Sequence, residues 1–331
     1  MPASRTHGRP AAPALLCACL LALILASNAA PAAAAKPAAA GIRVVDAGNR
    51  SLAQGTQLTE PLSVRTSPRA DCFGPGTGGS GERARVPASS ALAQLASAAA
   101  IDDDLSPLGI TDFFDFGLGI CRIGGAVAPM SGYWYLKVNH EASFSGAEQT
   151  TVHRGDEVLW HLIEDFNDPI PDELELRAPS RARPGAPFGV HVTAYADDGD
   201  ASPAVGARVT GADTPTDVHG RTTVTVEGRS ANLRATRAGA IASDTEAVCT
   251  TRLRDCPAGY ETTIGGTTRR DEITGGKAAE RILAGAGRDR VDARAGRAPD
   301  RINCGPGRDR LLVKRGSASR WRSCERVRFR R

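Results

Sequence analysis

The sequence predicts a mainly β protein built in three successive parts, and three observations carry that expectation. Glycine (36) and proline (21) are abundant while aromatic residues make up only 5% of the 331 positions, which argues for many turns between short strands. Between 173 and 236, short runs of strand-forming residues recur at intervals of about 10–17 residues, with turn clusters between them. From Asp271 onward an acidic residue is followed two positions later by an apolar one, at successive spacings of nine, nine, eleven and nine residues. A short fixed period means stacked coils, because one unit cannot bury its apolar face alone. A hydrophobic content of 41% with 24% charged residues suits a soluble globular protein, long enough for two or three domains.

Residues 1–35 read as a signal peptide and leader. Arg5 and Arg9 give a positive start, Ala11 to Ala26 is an apolar stretch of signal length, and small residues follow. An uncleaved anchor is the competing reading, but the apolar run is short for a span. Cys17 and Cys19 lack a lipobox, which argues against a lipoprotein. The expectation is a secreted or cell-surface protein with no transmembrane anchor in its mature form.

The first part covers 41–165. Ile42 to Asp46 and Leu62 to Thr66 are strand candidates. The glycine-rich run Cys72 to Gly81 raises the question of a phosphate cradle, but it lacks the Gly-Lys-Ser/Thr ending and the strand-to-helix frame. Ser89 to Ala100 is helix-like, with Ser89 or Ser90 as cap and Leu92 and Leu95 on a weak apolar face. Asp102 to Asp104 reads as a solvated turn in preference to a metal site. Ile110 to Ile123, with Phe113, Phe114 and Phe116, reads as an inner strand region ending at Cys121. Two strands then follow, Tyr133 to Asn139 and Glu157 to Leu162, the second entered through the turn Arg154-Gly155-Asp156. They are expected to form a half-buried, hairpin-like unit. Successive strand residues face opposite ways, so Trp134 and Trp160 are assigned to the core. Tyr133 or Tyr135 is the partly exposed candidate for ligand contact.

Gly132-Tyr133-Trp134-Tyr135, then Val138-Asn139, then Gly155-Asp156-x-Val158-x-Trp160, resembles the C-terminal β-domain of transcobalamin and intrinsic factor. It resembles more closely a bacterial domain family of unknown function that shares that fold. The resemblance implies a small α+β domain over about 41–164, with a helix after the first hairpin. It does not carry over cobalamin binding, because the α-barrel half that completes the vitamin site has no counterpart here.

Asp165 to Pro171 is a linker. Glu173 to Arg177, Val190 to Ala194, Ala207 to Val209, Thr222 to Val226 and Asn232 to Thr236 are strand candidates of an antiparallel sandwich. Val205 to Val209 and Thr216 to Thr222 resemble bacterial immunoglobulin-like modules, which implies an immunoglobulin-like β-sandwich over 171–248. Asp197, Asp198 and Asp200 fit a charged hairpin tip better than a cation loop.

The third part covers 257–331 and is basic: from Thr251 onward there are 21 Lys/Arg against 10 Asp/Glu. Its repeat runs through Asp271, Glu280, Asp289, Asp300 and Asp309, with Ile273, Ile282, Val291, Ile302 and Leu311 as the apolar partners. The unit resembles the haemolysin-type nonapeptide, which implies a short, degenerate parallel β-roll and calcium as its metal. Asp289 and Asp309 sit in the best-kept loops and are the calcium candidates. Arg288, Arg290, Arg308 and Arg310 flank them, and a positive field opposes a divalent cation. A metal-free coil stapled by cysteine is the preferred reading.

Six cysteines follow the leader, an even number that implies disulfides in an exported chain. Proximity favours Cys72–Cys121, Cys249–Cys256 and Cys304–Cys324. Chain entropy assigns them about 4, about 2.5 and about 3.3 kcal/mol. The spacings do not form zinc knuckles.

No Gly-x-Ser-x-Gly, His-Glu-x-x-His or free Cys/His pair is present, so no enzyme is expected. His140, His153 and His161 near the aromatic strands read as ordinary strand and turn histidines before they read as ligands. The function expected is a non-enzymatic binding protein, secreted or held at the cell surface. It would bind an unknown small molecule through 41–165 and use the middle part as a spacer. The competing function is a structural or adhesive protein that docks on anionic envelope polymers through its Arg-rich tail. An enzyme with an unrecognised site is a third. Specific nucleic-acid recognition is not expected, because aromatics are few among the basic residues, with Trp321 and Phe329 near the end of the chain.

Overall fold

Strand alternation explains the central sheet. In the strand Ala39–Val45, Ala40, Ile42 and Val44 point to one face, while Arg43 and Val45 point to the other. Ser51–Leu58 pairs with it antiparallel on one side, and Glu157–Ile163 pairs parallel on the other. Tyr133–Val138 lies antiparallel beyond Glu157–Ile163, with Trp160 opposite Leu136 and His161 opposite Tyr135. The computed structural model describes residues 38–252, 256, 262–276, 279–295 and 299–330, so the expected signal peptide lies outside the described residues.

The helix Ala91–Ala99 covers the Ile42 face. Ser90 caps it, its hydroxyl accepting from the Ala93 N–H at 3.1 Å. Leu92 and Leu95 pack with Ile42, Val44, Trp134, Leu136 and Trp160 in one core. The helix is buried nearly all round, because its polar Gln94 donates to the carbonyls of Ala40 and Gly41. The opposite face of the sheet is covered too. Val45 and Leu159 pack on Ile241 of the middle region, so the aromatic strands are buried on both faces and not half-buried as expected.

The middle region is entirely β among the described residues. Asp172–Arg177 pairs with Phe188–Tyr195, which also pairs with Ala201–Pro203 and Arg221–Val224. Leu174, Leu176, Val190, Val192, Leu233 and Val248 fill a separate core.

The C-terminal region forms two parallel stacks of strands. Thr262–Thr267, Glu280–Gly285, Arg301–Asn303 and Arg320–Arg322 make one; Glu272–Thr274, Arg290–Ala293, Arg310–Lys314 and Arg326–Arg330 make the other. Ile273, Ile282, Val291, Ile302 and Leu311, the five apolar positions of the repeat, all point into the space between the stacks. The first stack does not end at its own edge. Thr262–Thr267 pairs in parallel with Ser51–Leu58, so one nine-stranded sheet runs from the aromatic strands to the last coil. Gly55 makes that junction possible: at φ 152° it faces the backbone of Thr263, where a Cβ would collide. The described residues form a single compact unit.

All three expected disulfides are formed: Cys72–Cys121, Cys249–Cys256 and Cys304–Cys324. One element differs from expectation. Ile110 to Ile123 is not a continuous inner strand but two strands, Leu108–Thr111 and Gly119–Ile123. Between them Phe113 and Phe116 stand out into solvent and Phe114 stacks under Phe116, so the apolar run signals a surface cluster and not a core strand. No helix among the described residues is long and apolar enough to cross a membrane.

Candidate functional site

The second face of the central sheet carries charge where strand alternation calls for apolar residues. Arg43, between Ile42 and Val44, and Lys137, between Leu136 and Val138, are both buried beneath the middle region. Glu173, on Asp172–Arg177, answers them. Arg43 pairs with the Glu173 carboxylate, lies 3.2 Å from Asp244, and donates to the carbonyl of Leu174. Lys137 donates to the Ala196 carbonyl at 2.7 Å and sits 3.6 Å from Glu173. His140 Nδ1 lies 3.1 Å from the same carboxylate and Nε2 lies 3.7 Å from Glu157. The His140 ring stacks on Tyr195 with centroids 3.7 Å apart, and the Tyr195 hydroxyl donates to Glu175 at 2.7 Å.

Burial opposes the ionisation of Glu173, but His140, Arg43 and Lys137 outweigh it and hold its pKa below the usual carboxylate range. Burial likewise opposes the charging of His140, and Glu173 and Glu157 outweigh it, raising the imidazolium above its ordinary range. Burial lowers the Lys137 ammonium and pushes the Tyr195 phenol up to about 12. Glu157 is raised: partial burial at its base outweighs the attraction of His140, and the Asp244, Glu175 and Glu173 carboxylates add to it.

Beside this network a cleft of about 380 Å³ opens between the central sheet and the middle region. Arg43, His140, Glu157, Glu173, Glu175 and Asp244 line it. The buried members are locked in ion pairs, so none is poised as a free base or nucleophile. At the rim Glu157 and Asp244 are paired with His140 and Arg43, and their side chains remain 69% and 45% exposed.

The residues expected from sequence fall elsewhere. Trp134 and Trp160 are core residues, 7% and 1% exposed. Tyr133 is half-buried, while Tyr135 is buried by the middle region, and their rings meet edge to face at 6.4 Å. His161 is buried and held down to about 4 by that burial, and His153 lies on an exposed turn beside Asp156. Asp102 caps a short turn and pairs with Arg281 at 3.4 Å.

Asp289 and Asp309 do stack on one edge of the coil, as the repeat requires. The Asp271 N–H donates to Asp289 Oδ1, the Asp289 N–H to Asp309 Oδ1, and the Asp309 N–H to Glu325 Oε2, each at 2.8 Å. On the other edge the Glu280 N–H donates to Asp300 and the Asp300 N–H to Ser319. Asp289, Asp300, Asp309 and Glu325 thus each cap the backbone of the coil before, while Asp271 and Glu280 accept from Thr267 and Gly276 in their own loops. Burial pushes Asp289 up to about 7. Calcium takes about six to eight oxygen ligands. Here Oδ1 of both aspartates is committed to amides, and Oδ2 of each is left without a hydrogen bond. Among the described residues no three His, Cys, Asp or Glu side chains converge to hold a metal ion. The carboxylates present form an amide-capping ladder between coils.

No family model, no curated protein and no solved structure matches this sequence. Apart from His140, which reads as an ordinary strand histidine, sequence reasoning missed the cleft residues. A usable signal was there: a lone Arg43 or Lys137 inside an apolar strand needs a buried counter-charge, and the alternating Glu173 and Glu175 supply one.

Proposed function

We propose that the chain is an exported, non-enzymatic binding protein that holds a small organic cation in the cleft between the central sheet and the middle region. The observation that carries this reading is the rim. Glu157 and Asp244 face a cavity of ligand size with part of each carboxylate exposed. Burial first, and then the Asp244, Glu175 and Glu173 carboxylates, raise Glu157 against the pull of His140, and a cation in the cleft adds to that pull. Export is supported by three disulfides, which fit an oxidising, non-cytoplasmic compartment.

The finer architecture belongs to the same proposal. A transcobalamin-C-terminal-like region at 41–165 is supported by the helix that follows the first antiparallel strands. An immunoglobulin-like spacer at 171–248 is supported by its antiparallel pairing and separate core. A haemolysin-type coil at 257–331 is supported by its two parallel stacks.

The test is calorimetric titration of the full chain with spermidine, arginine, cobalamin and haem. Saturable binding of a cation, weakened about tenfold or more in Glu157→Gln/Asp244→Asn, is the expected result. Cation binding that ignores both substitutions would sink the cleft reading. The adhesive reading is favoured by a different observation, the stacking of arginines on the coil.

A further inference from the structure

Parallel in-register pairing brings like residues together from coil to coil. In the second stack Glu272, Arg290, Arg310 and Arg326 share one register position. Asp292, the buried Leu312 and Arg328 share the position two residues on, so the face is covered at Leu312, and Lys314 stands beside Arg330. Val291, Leu311 and Val327 alternate with these residues and point inward, so Arg290, Arg310 and Arg326 form a column on the outer face. Adjacent strands lie about 4.8 Å apart, which sets the guanidinium bases at that interval along the coil axis.

Carboxylate partners run out along the column. Arg290 lies 3.8 Å from Glu272, and Asp292 is taken by Arg294. Among the described residues Arg310, Arg326, Arg328 and Arg330 make no salt bridge, and the Arg310 Nε–H has no acceptor. The crowding is felt electrostatically: Arg328, together with Arg290, Arg330 and Arg326, lowers the Arg310 pKa. Like charges held in register cost stability unless something neutralises them. Here the Cys304–Cys324 bridge and the buried apolar column hold them in place.

We propose that the outer face of this second stack is a docking surface for a linear anionic polysaccharide laid along the coil axis. The face is an extended row of forks, and guanidinium forks match carboxylates in pairs. A single-stranded nucleic acid would also need aromatic platforms between the cations. Among the described residues of the coil the two exposed aromatics, Trp321 and Phe329, instead lie in register with the inward-pointing Ile302 and Val313 and close the last coil against each other, 5.9 Å apart. None of the residues involved lines the cleft, so this surface stands or falls independently of the cation site.

The test uses the full chain with immobilised polygalacturonate, neutral dextran and single-stranded DNA of matched charge. Arg310→Gln/Arg326→Gln/Arg328→Gln should weaken polygalacturonate binding by roughly tenfold or more and flatten its salt dependence by about three charges. Arg181→Gln/Arg183→Gln/Arg208→Gln removes as much charge from the middle region and should change binding by less than about twofold. Arg328→Gln and Arg330→Gln singly, on the open last strand, should each cost about twofold while the melting temperature stays fixed. Equal losses from the two triple variants would overturn the surface. So would tighter binding to DNA than to polygalacturonate, or retention on dextran.

Discussion

Arg43 concentrates the physics of the site in one side chain. Its guanidinium is buried, yet the strand around it is apolar, so removing the charge strands Glu173 without its main counter-ion. Arg43→Met should therefore cost about 3–5 kcal/mol in urea unfolding, and Arg43→Met/Glu173→Met should cost less than the two single variants added together, although Glu173→Met also strands Lys137 and His140. A double variant that costs the full sum would show that Arg43 and Glu173 are not coupled. His140 adds a pH dependence with a definite sign. Its folded pKa is raised above the ordinary 6.5, so its contribution is complete below that value. That contribution is lost as pH rises through the raised pKa. Glu173 runs the other way: its folded pKa is depressed below 4.5, so its contribution is present above that value and lost as pH falls through the depressed one. The melting temperature should thus decline above about pH 6.5 in the native chain, and His140→Gln should flatten that decline. These roles were not legible from residues 41–165 alone, because the partner, Glu173, lies in another region. Alternation on one strand shows that Arg43 faces away from Ile42, but not what meets it.

At the scale of the element, the coil was the most legible part and its metal the least. A period of nine with an apolar residue two places after each acid was enough to place Ile273, Ile282, Val291, Ile302 and Leu311 inside. It did not show what the acids do, since the hydrogen bonds run between coils 18 to 20 residues apart. Glu325, which ends the Asp271 edge, sits off the period and escaped notice. Asp289→Ala leaves the buried Asp271 N–H without an acceptor and should cost about 1–3 kcal/mol, while Asp289→Asn keeps a carbonyl there and should cost less. Millimolar calcium should leave the melting temperature of the native chain unmoved; a rise that Asp289→Asn abolishes would restore calcium to the site. Ile282→Ala, at the centre of the coil, should cost about 2–5 kcal/mol by opening a cavity the two stacks cannot close. The opposite error occurred at Phe113 and Phe116, where hydrophobicity was read as burial. Apolar runs carry no label saying whether a neighbour exists to cover them.

For the whole molecule, the three parts are legible as stretches of sequence but their union is not. Nothing local announces that Ser51–Leu58 pairs with Thr262–Thr267 across some two hundred residues. Gly55 is the one residue that hints at it, a glycine inside a strand where another backbone passes. Gly55→Val should detach the coil from the central sheet, and hydrogen exchange should quicken first at Ser51–Leu58 and Thr262–Thr267; unchanged protection there would refute the junction. The junction also imposes an order in time. The chain is made from its N-terminus, so Ser51–Leu58 exists long before its partner. Until the coil arrives that strand has a bare hydrogen-bonding edge, the kind that recruits strands from other chains. Closing so long a loop is slow, and waiting intermediates aggregate. Maturation of this protein should therefore depend on a holding chaperone that shields the edge until the last quarter of the chain has emerged, and a chain cut before Thr262 should aggregate where the full chain does not.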